Sequence, residues 1–403
     1  MFDKTKLTGA DLSASLCGIP LQSPFILASG PLTYAAEGMI RGHEAGCGAV
    51  VTKTIRIARA VNPVRHISRM PGNSMINCEK WADSDRLLWY EREIPMAKKA
   101  GAVVIGSVGH TLGEARAILR DVEKAGADMI ELVSYTRDDL LPMLRFAKEN
   151  LSIPVICKLS GNWPDAAEVG RLCIEQGADG ICAIDSIGPT LKIDIRRAAP
   201  EMGGERGYGW MTGAAIRPIS MRINAEIASG SPGFRNLYGV GGCMTAEDAI
   251  EFLMVGCGCV GVCTAPILKG INYVEKLCAQ LSDRLAELGY QNLESVRGAA
   301  LSKLPPKEKI ARLDFAFTPG EGESPGGVRC TKCGQCVTVC PYQARALAYP
   351  EMRLDRDLCR DCGLCLSVCP TGALTASDAV TDQSQLLAEE AAAFENKVGE
   401  VNR

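Results

Sequence analysis

The sequence predicts an α/β protein, a (β/α)8 (TIM) barrel followed by a small cysteine-rich domain. Three observations carry this reading. Eight short apolar runs fall within the first 270 residues, amphipathic segments lie between most of them, and a dense double cysteine motif stands near the C-terminus. Alternating strand and helix patterns build a parallel sheet, and eight such units close into a barrel. The rival arrangement at this level is a doubly wound open sheet.

The predicted strands, in order, are Phe25–Gly30, Ala49–Thr54, Ala102–Val108, Asp128–Val133, Pro154–Leu159, Gly180–Ser186, Asn236–Gly241 and Cys259–Ala265. Helices are expected between them, as over Asp138–Asn150 and Pro164–Gln176. The turns into several strands share a pattern: EAGCGAV, KAGAVV, KAGADMI, EQGADGI and VGCGCV. A glycine there caps the preceding helix by taking positive φ. Domain boundaries follow from composition. Residues 1–270 form the barrel, 271–324 a helix and a linker ending in TPGEGESPGG, 325–378 the cysteine-rich domain, and 379–403 a polar helical tail.

Composition narrows the function classes. Of 403 residues, 47% are hydrophobic and 23% charged, which excludes disordered and fibrous classes. A net charge of -3 gives no field to draw in nucleic acid or an anionic membrane. The N-terminus MFDKTKLTGADLSASL is too polar for a signal peptide. The longest uncharged stretch, Phe252–Leu268, is broken by Gly256, Gly258, Gly261 and Pro266, so it reads as helix end, turn and strand rather than a bilayer span. A cytoplasmic location is expected. There, 19 cysteines point to metal rather than disulfides, and an odd number cannot all pair within one chain.

Cys330-TK-Cys333-GQ-Cys336-VTV-Cys340-Pro341 is followed by Cys359-RD-Cys362-GL-Cys365-LSV-Cys369-Pro370. The C-x2-C-x2-C-x3-C-P run holds iron–sulfur clusters, three close thiolates wrapping one cubane and the fourth reaching the other. Zinc knuckles are the alternative, but tetrahedral zinc needs two spaced pairs rather than three cysteines in seven residues. The unit resembles two-cluster bacterial ferredoxins. The resemblance implies two 4Fe–4S clusters, one on Cys330, Cys333, Cys336 and Cys369, the other on Cys359, Cys362, Cys365 and Cys340.

Single-electron clusters need an exchange partner, and the strand ends suggest one. Barrel chemistry sits at the C-terminal strand ends, with phosphate at strands seven and eight. Strand seven ends in Gly241-Gly242, strand eight in Cys263-Thr264. Lys53 and Lys158 end or interrupt apolar strands, where a buried cation needs an anion, either a ligand or a structural carboxylate. A flavin suits both lysines. Its reduced ring carries negative charge near N1, its phosphate suits the glycines, and it converts hydride chemistry into one-electron steps.

Segments FILASG, GAVVTKTI, INCE, ADMIEL, VICKLS, MTGAAIRPISMR, GVGG and VCTA occur in the order seen in the dihydroorotate dehydrogenase family of FMN barrels. With its cysteine unit, the chain resembles the FMN and iron–sulfur half of dihydropyrimidine dehydrogenases, which bacteria keep as a separate subunit. The resemblance covers roughly residues 10–270 and 325–375. It implies an FMN site lined by Ala28, Ser29, Lys53, Thr54, Asn77, Lys158, Gly213, Gly241, Gly242, Cys263 and Thr264, with Lys158 neutralising charge at flavin N1.

The substrate side departs from the family. An Asn-x-Ser-Cys-Pro stretch is replaced by Val133-Ser134-Tyr135-Thr136-Arg137, the lid that follows is shorter, and Asn-Thr after strand six is replaced by Asp185-Ser186. Substrate contacts are expected from Asn77, Glu79, Asp185 and Ser186. Candidate proton donors are Tyr135, Ser134, Thr136 and His110. No G-x-G-x-x-G follows a strand, so a separate FAD/NAD(P)H-binding partner or a ferredoxin is expected as electron donor, with the chain itself a homo-oligomer. The expected reaction is reversible reduction of a C=C bond in a small unsaturated ring. Two alternatives stay open: an ene reductase for a non-pyrimidine compound, and an electron-relay subunit of a larger complex.

Overall fold

All eight predicted barrel strands form, and they close in chain order into one parallel barrel. They are β1 (Phe25–Leu27), β2 (Ala49–Val51), β3 (Val104–Gly109), β4 (Met129–Val133), β5 (Val155–Leu159), β6 (Gly180–Ala183), β7 (Leu237–Val240) and β8 (Cys259–Val262). The computed structural model describes residues 2–305, 309–316, 330–348 and 351–382. The open-sheet alternative is excluded because β8 pairs with β1, Gly261 opposite Ile26.

The strands are buried on both faces, which is why they read as apolar runs without alternation. Inward residues Ile26, Val51, Ile105, Met129, Ile156, Cys182 and Tyr238 fill the barrel, and outward ones such as Leu27, Val104 and Leu132 pack on the helices. The hairpin Ala14–Leu16/Ile19–Leu21 adds Leu16 and Leu21 to the inner cluster, and Cys259 Sγ lies 3.8 Å from Ser15 O. The inner cluster therefore continues into this hairpin at the N-terminal ends of the strands. Each repeated turn places its glycine at positive φ after a helix, as Gly126 (φ 101°) and Gly256 (φ 101°) do.

Two insertions build a sheet that the sequence reading did not anticipate. Strands Ile187–Leu191, Tyr208–Gly213, Ser74–Asn77 and Ile67–Met70 pair antiparallel in that order. They come from the connections after β2 and β6, at the C-terminal ends of the strands.

The chain divides into two units, Met1–Ser302 and Lys303–Arg403. The first takes in helix Tyr273–Glu287, placed by sequence in the connection, because Val274, Leu277, Cys278, Leu281 and Leu285 are buried in the barrel's outer core. In the second, strands Lys309–Ala316 and Thr375–Asp382 pair antiparallel, so positions 379–382, assigned by sequence to a helical tail, are strand. The TPGEGESPGG connection and the tail from Gln383 onward lie outside the described residues. None of the described helices is long and apolar enough to cross a membrane.

Candidate active site

The C-terminal ends of the strands and the inserted sheet enclose a cavity of about 720 Å³. At one side β7 runs into Gly241 (φ 108°) and Gly242 (φ 106°), followed by helix Ala246–Met254. Thr245 and Asp248 form a capping box, and Asp248 Oδ2 accepts the N–H groups of Met244 (2.8 Å) and Thr245 (3.0 Å). The N–H groups of Gly241, Gly242 and Cys243 are not taken up by any described group. A Cβ on Gly242 would sit 2.5 Å from Arg217 Cβ, so only backbone fits there. Cys263 and Thr264 follow β8, and Thr264 Oγ1 bonds Thr212 Oγ1 at 3.1 Å. Glycine backbone with free donors beside a capped helix start is a cradle for a phosphate.

Two lysines face the cavity from other strand ends. Lys53 Nζ pairs with Glu79 at 2.7 Å, both side chains only 12% exposed. Lys158 Nζ lies 3.4 Å from Asp185 and 3.9 Å from Glu131. Both lysines thus have structural carboxylate partners and also line the cavity. Burial works against the Lys158 charge, but Asp185 and Glu131 outweigh it and raise its pKa. Burial likewise opposes the Asp185 charge, and Lys158 outweighs it, so that carboxyl is lowered. Glu131 is different. It is 1% exposed, its Oε1 has no hydrogen-bond partner, and burial raises its pKa despite Lys158. Glu131 stands between Ile130 and Leu132 in an apolar strand, and that placement is the one signal by which sequence reasoning would have found it.

The candidate proton donors separate in space. His110, Ser134 and Tyr135 line the cavity. Trp81, His110 and Tyr135 pack edge to face, with centroids 6.1 and 4.1 Å apart. Burial, and next the Arg56 charge, lower the His110 pKa to about 4, so the ring is neutral at pH 7. Arg56 grips Glu114 bidentately (2.7 and 3.0 Å) and lies 4.2 Å over Trp81, while Ser134 Oγ donates to His110 O at 2.9 Å. Thr136 is a correction: it is not on the cavity wall. It is the N-cap of helix Arg137–Asn150, accepting from Asp139 N and donating to Asp139 Oδ2 at 2.8 Å.

The remaining expected residues, Ala28, Ser29, Thr54, Asn77, Glu79, Asp185, Ser186, Gly213, Cys263 and Thr264, all reach the cavity. Asn77 Nδ2 donates to Trp210 O at 3.3 Å, which fixes the amide against the inserted sheet. That sheet and its loops add Trp210 to the mouth, together with Trp81, Arg206 and Tyr208, which carried no sequence signal because tertiary pairing alone brings them there. The eleven barrel cysteines are all free thiols, nine of them buried.

In the second unit the eight motif cysteines line two pockets, four each. One holds Cys330, Cys333, Cys336 and Cys369, the other Cys340, Cys359, Cys362 and Cys365. Gly334 and Gly363, both left-handed, start matching short helices, Gln335–Thr338 and Leu364–Ser367. Burial pushes the Cys340 and Cys369 thiols up, but surrounding main-chain N–H groups outweigh it and lower both pKa values. Thiols so placed favour the thiolate that a cluster needs.

Residues 11–285 match the dihydroorotate dehydrogenase family and residues 329–373 the 4Fe-4S dicluster domain. Joined in one chain, these parts make an FMN and iron–sulfur oxidoreductase acting on CH–CH bonds. The chain belongs to the dihydroorotate dehydrogenase family. It is 27% identical to the NAD-dependent dihydropyrimidine dehydrogenase subunit PreA of Escherichia coli over 356 residues, 82% of this chain and 85% of that one. It is 29% identical to the catalytic subunit of dihydroorotate dehydrogenase B (NAD(+)) of Thermoplasma acidophilum, covering 72% of this chain and 99% of that one. With the chloroplastic dihydropyrimidine dehydrogenase (NADP(+)) of Arabidopsis thaliana it shares 28% identity over 72% of this chain and 77% of that one.

Proposed function

We propose that this chain reduces or oxidises a ring C=C bond of a small unsaturated substrate, in the manner of dihydropyrimidine dehydrogenases, with FMN in the barrel mouth and two 4Fe–4S clusters on the eight motif cysteines. The observation that carries the reading is the cavity itself. Free backbone donors at Gly241, Gly242 and Cys243 stand at one end, and the buried lysines Lys53 and Lys158 stand on strand ends across the mouth. When bound, FMN supplies hydride chemistry at N5 and the clusters supply single electrons.

The protein's own residues do the rest. The glycine cradle binds the phosphate, and Cys263 and Thr264 close that end. Lys158 brings positive charge to the buried floor, held in place by Asp185 and Glu131. The aromatic residues Trp81, His110 and Tyr135 form one wall of the cavity, and the Tyr135 hydroxyl and the His110 ring are its candidate proton-bearing groups. The names of the relatives, one a subunit and one a catalytic subunit, support an electron supply from a separate FAD/NAD(P)H-binding partner or ferredoxin.

Asp185 favours a second substrate class. It accepts but cannot donate, so a ring presenting N–H or amino groups fits better than one presenting a carbonyl there. A substrate panel decides. Anaerobically purified protein carrying one flavin and about eight iron atoms is reduced, then offered uracil, thymine, orotate, purines and cyclic enones while flavin reoxidation is followed. Reoxidation by pyrimidines supports the first reading and by purines the second, while a response to cyclic enones alone counts against the role given to Asp185. Zinc in place of iron, or no flavin, would reject both.

A further inference from the structure

Lys158 lines the cavity from β5, and it is not electrically free. Its Nζ lies 3.4 Å from Asp185 Oδ1 and 3.9 Å from Glu131 Oε1, with the lysine side chain 8% exposed. Asp185 follows β6 on the neighbouring strand to Lys158, and its Oδ1 also accepts the N–H of Ser186 at 2.9 Å, which fixes the carboxylate beside the lysine. Its side chain is 40% exposed, and it lines the cavity. Glu131 is enclosed and burial favours its protonated form, whereas Asp185 is held ionised by Lys158. Asp185 is therefore the counter-charge.

We infer that Asp185 is a positioning residue that sets the redox potential of the bound flavin, by pairing with Lys158 and cancelling the positive charge that would otherwise stabilise the reduced ring. This rests on the flavin reading above. Two-electron reduction with one proton leaves a net negative charge on the ring, and a cation nearby favours that product. An ion pair presents a dipole instead, whose field falls faster with distance than that of a lone charge. The bound flavin is thereby kept at a lower potential than the bare lysine would give.

The test compares wild-type holoprotein with Asp185→Asn and Asp185→Glu, reading flavin content by absorbance and midpoint potential by anaerobic dye-coupled titration at pH 7.5. Asp185→Asn should retain flavin and move the two-electron equilibrium toward the reduced form at least tenfold, about 30 mV upward. Asp185→Glu, which keeps the charge, should stay within threefold of wild type. An unchanged potential in Asp185→Asn overturns the inference, as does loss of its flavin, because a counter-charge to Lys158 is not needed to hold an anionic ligand. An equal rise in Asp185→Glu overturns it too, by showing that geometry rather than charge is responsible. Wild-type protein that holds no flavin would instead defeat the underlying reading, so the two failures are distinct.

Discussion

Replacing Lys158 by Met removes the cation and keeps most of the volume, leaving Glu131 and Asp185 to face each other on the cavity floor. At 3.4 and 3.9 Å, an effective dielectric near 20 gives about 4–5 kcal/mol of attraction per ionised pair before desolvation is counted. The net effect is smaller. Asp185 is 40% exposed, so water screens its share, and Glu131 accepts a proton readily because burial raises its pKa. Breaking a buried pair by removing one partner costs about 3–5 kcal/mol, and these two facts put Lys158→Met near 3 kcal/mol at pH 7.5. Flavin-free protein is the right sample, since ligand loss would otherwise add its own linkage term. Urea unfolding followed by tryptophan fluorescence reads the change as a lower midpoint. The penalty should shrink at pH 5, where the raised Glu131 and the unpaired Asp185 take up protons, and Lys158→Met/Asp185→Asn should recover at least half of it. A loss under about 1 kcal/mol, or a double variant no better than the single, would refute the charge reasoning.

Four further outcomes follow from the structure. His110, neutral with a folded pKa of about 4 against an unfolded value near 6.5, binds a proton only when unfolded across that window; stability should therefore fall as pH drops from about 6.5 to 4, by roughly 3 kcal/mol. His110→Gln should lose that part of the acid sensitivity in urea midpoints at pH 7 and 4.5, and an unaltered acid slope counts against it. Gly242→Ala places a Cβ 2.5 Å from Arg217 Cβ at φ 106°, so it should cost about 1–3 kcal/mol and lower flavin retention on gel filtration; full retention would remove Gly242 from the cradle. Thr136→Ala should lose about 1 kcal/mol of stability as an N-cap while kcat/KM stays within about twofold, whereas a hundredfold loss would restore its catalytic role. Cys340→Ala and Cys369→Ala line different pockets, so each should cut iron from about eight to about four atoms per chain, and neither should remove all of it.

The barrel was legible because a parallel strand covered on both faces must be apolar throughout, and runs such as VVT, VIGSV and VICKL then stand out between amphipathic helices. The glycine turn after β7 was legible for a related reason: Gly241 and Gly242 take a backbone conformation that other residues resist. Lys53 and Lys158 announced themselves as charges in apolar strands. Their partners did not all do so. Glu79 lies 26 residues from Lys53 and Glu131 lies 27 from Lys158, and only strand register brings them within reach. Thr136 shows the opposite failure. A hydroxyl at a strand end is equally suited to catalysis or to capping the next helix, and which it does depends on a bond to Asp139.

The cysteine spacing alone determined the chemistry of the second unit, because three thiols in seven residues with a fourth before proline already constrain the geometry of a cubane. What spacing cannot say is which distant cysteine joins each group as the chain folds; Cys369 lies with Cys330, Cys333 and Cys336 in one pocket, and Cys340 with Cys359, Cys362 and Cys365 in the other. Sequence also determined the barrel and the family, since both rest on local patterns repeated in order. The shape of the mouth was decided by tertiary structure. Its inserted sheet pairs Trp210 with Asn77, 133 positions apart, and its floor sets one lysine between two carboxylates from neighbouring strands. Local pattern encodes how each segment folds; which charges end up sharing a buried site is a property of the closed barrel.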